Sequence, residues 1–140
     1  MYVIIMGCGR VGARLANLLE ADGHEVVILD TNPAAFSRLG SEFRGTRLVG
    51  NGVDTEVLRR AGIERADAFA ACTQGDNRNI MASQIAREIF KVPKVVTRIY
   101  DPIRKDTFTD LGLDAISPTV IGAAHFYTHL TGRKPPGDDL

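Results

Sequence analysis

The chain has 140 residues, enough for one domain with a buried core and too few for a nucleotide domain joined to a separate catalytic domain. Lys+Arg and Asp+Glu both number 17, so no net field draws it to nucleic acid or to an anionic membrane surface. Its two cysteines, Cys8 and Cys72, form no C-x-x-C and no metal-ligand spacing, which suits a reducing cytosol, and no apolar run approaches the roughly 18 residues of a membrane span.

Tyr2 to Met6 is a continuous apolar run, the pattern of a strand covered on both faces and hence of a parallel sheet. No basic and apolar leader precedes it, so the chain reads as soluble, with no direct membrane insertion. Val11, Leu15, Leu18 and Leu19 then recur at helical spacing until Gly23 stops the helix, and Glu25 to Asp30 is a second strand. Asn32 as N-cap and Pro33 at the first helical position open a short helix over 34 to 40. Thr46 to Val49 is a third strand, and Gly50-Asn51-Gly52 turns the chain toward Asp54, the N-cap of a helix carrying Val57, Leu58 and Ala61.

Asp67 to Cys72 predicts a fourth strand. After the polar stretch Thr73 to Asn79, a helix presents Met81, Ala82, Ile85, Ala86 and Ile89 as one apolar stripe, and Asp76 and Asn79 stand where helix capping explains them as well as a ligand does. Lys94 to Ile99 is a fifth strand, Asp101-Pro102 opens a helix ending near Leu111-Gly112, Ala115-Ile116 is a brief sixth strand, and Pro118 begins a last helix toward Leu130. No tandem repeat interrupts this order. Strict alternation selects an α/β fold, a Rossmann-like doubly wound parallel six-stranded sheet of order 3-2-1-4-5-6. Residues 1–131 make the expected domain, and 132–140 read as a linker-like tail.

The chemistry gathers where the first strand runs into Gly7-Cys8-Gly9-Arg10-Val11-Gly12. In such a loop Gly7 permits the tight turn, Gly9 leaves room for a pyrophosphate and Gly12 lets the helix pack on the sheet, while the free N–H groups of the helix start favour an anion. Asp30 follows Gly7 by 23 residues, close to the roughly 20-residue offset of an acid that binds a ribose. Its charge repels a 2'-phosphate, so NAD, ATP, ADP and AMP fit and NADP does not. Arg10 places a cation within reach of a bound phosphate or of a neighbouring subunit's ligand, against the helix dipole, and that conflict with a local rule points to function. Thr73 lies at the carboxyl edge of the fourth strand, where doubly wound sheets hold ligands. Cys8 reads as a small apolar filler rather than a redox thiol.

His125 and His129 share a helix face but have no third ligand, so no metal is expected, and no nucleophile-and-base constellation assembles a catalytic residue. The last helix carries Val120, Ile121, Ala123, Ala124, Phe126, Tyr127 and Leu130 around well over half its circumference, which asks for a second apolar partner beyond the sheet.

The chain resembles the nucleotide-binding N-terminal domain of potassium-conductance regulators, called the RCK, KTN or TrkA-N domain. The resemblance spans nearly the whole chain and rests on the glycine loop with Arg10 in place, Gly23-His24-Glu25-Val26, Asp30, Ala61-Gly62-Ile63 with Ala66-Asp67, Thr73 with Asp76 and Asn79, and Arg98 before Asp101-Pro102. It implies a cytosolic sensor that binds NAD(H) or ATP/ADP without chemistry, pairs as a homodimer, assembles into rings and gates a membrane potassium transporter at the inner face of the plasma membrane. The implied binding residues are Gly7, Cys8, Gly9, Arg10, Val11, Gly12, Asp30, Thr31, Asn51, Gly52, Thr73 and Arg98, with Arg10 and Arg98 facing phosphate. Where the family usually has Gly-Asp-Ala-Thr, this chain has Gly50-Asn51-Gly52-Val53; Asn51 hydrogen-bonds an adenine but carries no charge. Family members often continue into a smaller C-terminal domain, and the Pro/Gly/Asp tail resembles the start of such a linker. The alternative is the cofactor domain of an NAD-dependent oxidoreductase without its substrate domain, because the fold does not fix function.

Overall fold

The apolar N-terminal run is the middle of the sheet. In the computed structural model, which describes residues 1–137, β1 (Tyr2–Met6) pairs in parallel with β2 (Glu25–Asp30) on one side and β4 (Ala68–Ala71) on the other, with Val3 beside both Val26 and Ala68. With β3 (Thr46–Val49), β5 (Lys94–Arg98) and β6 (Asp114–Ile116) the parallel sheet has the expected order, β3-β2-β1-β4-β5-β6. The last three residues of the linker-like tail, 138–140, lie outside the described residues.

Alternate side chains of the central strands feed two cores. Ile4, Met6, Val27, Leu29 and Phe69 pack against α2 (Thr55–Arg60) through Val57 and Leu58, against α3 (Asp76–Gln84) through Ala82, and against the turn that follows α3 through Ala86. Val3, Ile5, Val26 and Ile28 pack on the other face against Ala13 and Ala16 of α1 (Arg10–Ala21) and against Ala35, Leu39 and Phe43. Because both faces are covered, these strands show no polar alternation. Beyond β5, α4 (Pro102–Asp110) and α5 (Pro118–Thr131) have no buried residue, and a small cluster of Ile80, Ile99, Leu113 and Ala115 forms the apolar core of that end.

Several expectations are corrected. The segment expected as a helix over 34 to 40 is a 3-10 helix, Pro33–Arg38, begun by Asn32 Oδ1 accepting from Ala34 N–H; six residues close tighter i to i+3 bonds instead of two full α turns. A further 3-10 turn, Ile63–Arg65, was not foreseen. The stripe predicted for α3 was misplaced. Met81 and Ile89 are exposed, while Asn79 and Ser83 are buried with Ile80, Ala82 and Ala86, and the helix ends in a wide π turn, Ile85–Ile89. Apolar periodicity missed this face because its polar members have partners: Thr97 Oγ1 donates to Ser83 Oγ at 2.6 Å in the interior.

Candidate nucleotide site

Between β1 and β4 the strand order reverses, with α1 leaving to one face of the sheet and α3 to the other, and a crevice opens at the carboxyl ends of the strands. It is a cleft of about 560 Å³, the size of a small-molecule site. Ten of the twelve expected binding residues line it: Gly7, Cys8, Gly9, Arg10, Asp30, Thr31, Asn51, Gly52, Thr73 and Arg98. Val11 and Gly12 lie behind them on the first turn of α1.

The three glycines do different work. Gly7 has φ +104, and a Cβ there would come within 2.9 Å of Thr73 N, so strand β1 can turn beneath β4 only without a side chain. A Cβ on Gly12 would collide with the Gly7 carbonyl oxygen, which fixes how closely α1 approaches the strand. Over Gly9 a Cβ would meet nothing within 4 Å; that space is open to a ligand. Gly9 is also the N-cap of α1 and offers no side-chain acceptor, and the first turn carries no acid. Ahead of the Ala13 N–H bond to Gly9 O at 2.9 Å, the amides of that turn are left for an anion.

Asp30 is held in place by the loop itself. Its Oδ2 accepts from Cys8 N–H and its Oδ1 from Asn32 N–H, both at 2.8 Å, leaving the second lone pair of each oxygen for a hydroxyl. Asn51 Oδ1 accepts from Val53 N–H at 3.1 Å, so its amide NH₂ is the group offered to a ligand. Cys8 is buried, and burial and then the Asp30 carboxylate raise its pKa, which leaves the thiol protonated under the loop. Burial pushes Cys72 up to about 11.

Asp76 and Asn79 are neither caps nor cleft residues. The N-cap of α3 is Gly75, without a side-chain bond. Asn79, fully buried, accepts from Thr73 N–H and Thr73 Oγ1 and donates to the carbonyls of Thr73 and Arg98, tying the end of β4 to the end of β5. Thr73 lines the cleft with its donors thus spent. Asp76 Oδ1 accepts from Tyr100 N–H at 2.9 Å, fixing the chain after β5.

Arg98 lines the far end of the cleft. Its Nη1 donates to Cys72 O at 3.4 Å, its Nη2 pairs with Tyr100 Oη, and its guanidinium carbon lies 4.1 Å from the Tyr100 ring centroid. Its Nε is buried and has no acceptor among the described residues. Arg38, Arg78 and Tyr100 also line the cleft and were not foreseen. Arg38 reaches Cys8 O at 3.4 Å because the 3-10 pitch after β2 turns it back over the loop. The available signal was position: Arg78 lies in the polar stretch after the fourth strand and Tyr100 directly after the fifth. His125 and His129 gather no third His, Cys, Asp or Glu among the described residues.

Fold and cleft define a Rossmann-like domain with an open crevice at its switch point. The TrkA-N domain family matches residues 3–118, and the chain belongs to that family. It is 51% identical over 117 residues to the Trk system potassium uptake protein TrkA of Streptomyces coelicolor, an alignment covering 84% of this chain and 52% of that protein. The chain thus spans about half the length of this curated relative. Among solved structures, the Shewanella denitrificans Kef CTD in AMP-bound form has a TM-score of 0.80 at 23% identity, covering 95% of this chain and 83% of that one. The GsuK channel bound to NAD has a TM-score of 0.78 at 23% identity, covering 92% and 23%. At these identities the likeness establishes the fold.

Proposed function

We propose that this chain is the nucleotide-sensing domain of a cytoplasmic regulator that gates a membrane potassium transporter, and that it binds an adenine nucleotide or NAD(H) without turning it over. The observation that carries the reading is the convergence of the open space over Gly9, the free first-turn amides of α1 and the fixed carboxylate of Asp30 at one switch point. Phosphates sit over Gly9 against those amides, Asp30 accepts the ribose hydroxyls, Asn51 donates to the base, and Arg10 and Arg98 face phosphate. Asp30 would meet a 2'-phosphate as a like charge, so NADP is disfavoured. The relatives' names and the AMP- and NAD-bound neighbours support this assignment.

Assembly follows from α5, whose Phe126 and Leu130 are 75% and 84% exposed. Two copies pair through this helix as a homodimer, further pairing gives a ring, and a nucleotide that prefers one geometry shifts the transporter between states. Among the described residues no helix is long and apolar enough to cross a membrane. Calorimetry with AMP, ADP, ATP, NAD, NADH and NADP, beside an absorbance assay for hydride transfer, tests the proposal. Binding of adenine ligands without turnover is the expected result; turnover, or tighter binding of NADP, overturns it. Sedimentation at micromolar concentration should show a dimer, and a monomer there removes the assembly claim.

A further inference from the structure

Asn51 is the one asparagine in the chain followed by glycine; Asn17, Asn32, Asn77 and Asn79 precede Leu18, Pro33, Arg78 and Ile80. A side-chain amide ahead of glycine is open to attack by the next backbone nitrogen, because no Cβ shields that nitrogen or hinders its turn toward Cγ. The fold itself demands this glycine. A Cβ on Gly52 would collide with the Met6 side chain, so no bulkier residue can stand there and slow the attack.

The local geometry favours the same step. Asn51 is exposed, and its Oδ1 accepts from Val53 N–H at 3.1 Å, an Asx turn that folds the side chain over the Gly52 peptide. That bond draws electrons from Cγ and leaves the NH₂ group free to depart. Gly52 N–H, the attacking group, donates to no acceptor among the described residues. Asp22-Gly23 makes the contrast, since the same ring could close there but Gly23 N–H is held by Glu20 O at 3.0 Å. The other asparagines are held back as well. Pro33 has no N–H to attack Asn32, and Asn17, Asn77 and Asn79 lie in α1 and α3, where each side chain tilts toward the helix start and away from the following amide.

We infer that Asn51 is a self-modification site, at which the backbone nitrogen of Gly52 displaces ammonia from the side-chain amide and leaves a carboxylate at the cleft. The nitrogen gives its proton to solvent hydroxide and attacks Cγ; the N–Cγ bond forms, the Cγ–Nδ2 bond breaks, and ammonia leaves with a proton from water. Water then opens the resulting succinimide at either carbonyl to give aspartate or isoaspartate. In sum, amide and water become carboxylate and ammonium, with nothing oxidised or reduced. Asn51 lines the cleft, and the neighbouring Gly50 N–H is bonded to Asp30 O at 3.0 Å, so the new charge arises close to the existing acid. The isoaspartyl form also lengthens the backbone inside a turn closed by Asp54 N–H on Asn51 O at 3.0 Å, just ahead of α2. The cleft therefore gains negative charge with age, at a rate set by this turn.

Incubation of the full chain at neutral and at mildly alkaline pH, followed by peptide mapping by mass spectrometry and by ammonia release, tests this. Asn51 should convert first, roughly tenfold or more ahead of every other asparagine, and faster at the higher pH because the attacking nitrogen must lose its proton. Asn51→Gln, whose longer side chain must close a larger ring, should abolish the early ammonia and the acidic species. In urea Asp22 should begin to isomerise, whereas in the folded chain it should not. An intact Asn51, conversion no faster than at Asn17 or Asn77, or conversion many-fold slower folded than in urea overturns the inference. The chemistry needs no ligand, so the nucleotide reading is tested separately: saturating AMP should slow conversion severalfold, because in the proposed pose the base covers this amide. Conversion untouched by bound AMP overturns that pose and leaves the modification standing.

Discussion

The centre of the sheet and the C-terminal third of the chain obey different rules of burial. Ile4, Ile5, Ile28 and Leu29 are wholly buried, and apolar side chains of β1 and β2 meet a helix or 3-10 segment of the same chain. In α4 and α5 no residue is buried, although Ile103, Phe126 and Leu130 would each gain about 1.5 to 3 kcal/mol from burial. The first region completes its core alone and positions the cleft; the second leaves apolar surface that a single copy does not cover. If the proposed pairing runs through α5, folding and assembly fall to separate residues, and changes in one region should be silent in the other.

The largest separation should come from α5. Replacing Phe126→Glu together with Leu130→Glu puts charge on two positions the monomer already exposes, so the melting temperature in dilute solution should hold while dimer affinity falls about 30-fold or more. Sedimentation equilibrium against a thermal melt checks both halves; a collapsed melt would mean that α5 belongs to the core. Next is Asn79→Ala, which leaves the backbone groups of Thr73 and Arg98 without their partner and should cost about 3 kcal/mol in urea unfolding, with the dimer unaffected at low denaturant.

Asp30→Ala should cost about 2 kcal/mol of binding to all adenine nucleotides alike, because in the proposed pose it meets only their shared ribose, whereas Arg10→Ala should mainly narrow the differences among phosphates. Calorimetry separates the two, and an Arg10→Ala protein with every affinity and its oligomeric state unchanged would leave that residue without a role. Smallest is the thiol test. With Cys72 near 11, the thiolate fraction at pH 7 is on the order of one in ten thousand, so folded protein should label far more slowly with iodoacetamide than protein in urea. The sign for stability follows: above the ordinary thiol value of 9.0 the unfolded chain loses its proton first, so stability should fall as pH rises from 9 toward 11.

By itself the sequence determined the sheet and most of the cleft, because their signals are local. A continuous apolar run, a glycine at each required close approach and an acid at the end of the next strand are consequences of backbone sterics and burial that neighbours in sequence express. Only the tertiary structure decided the roles of Asp76 and Asn79, whose side chains bond across to Tyr100, just past β5, and to Arg98 at its end rather than to their own helix. The same holds for the buried Ser83 and Thr97, which look like surface residues until each supplies the other's hydrogen bond. Arg38, Arg78 and Tyr100 reach the cleft by the pitch of a 3-10 turn and the meeting of β4 with β5, distances that no spacing along the chain encodes. The exposed apolar face of α5 was legible as a pattern, but that the chain's own core leaves it uncovered is a fact of packing.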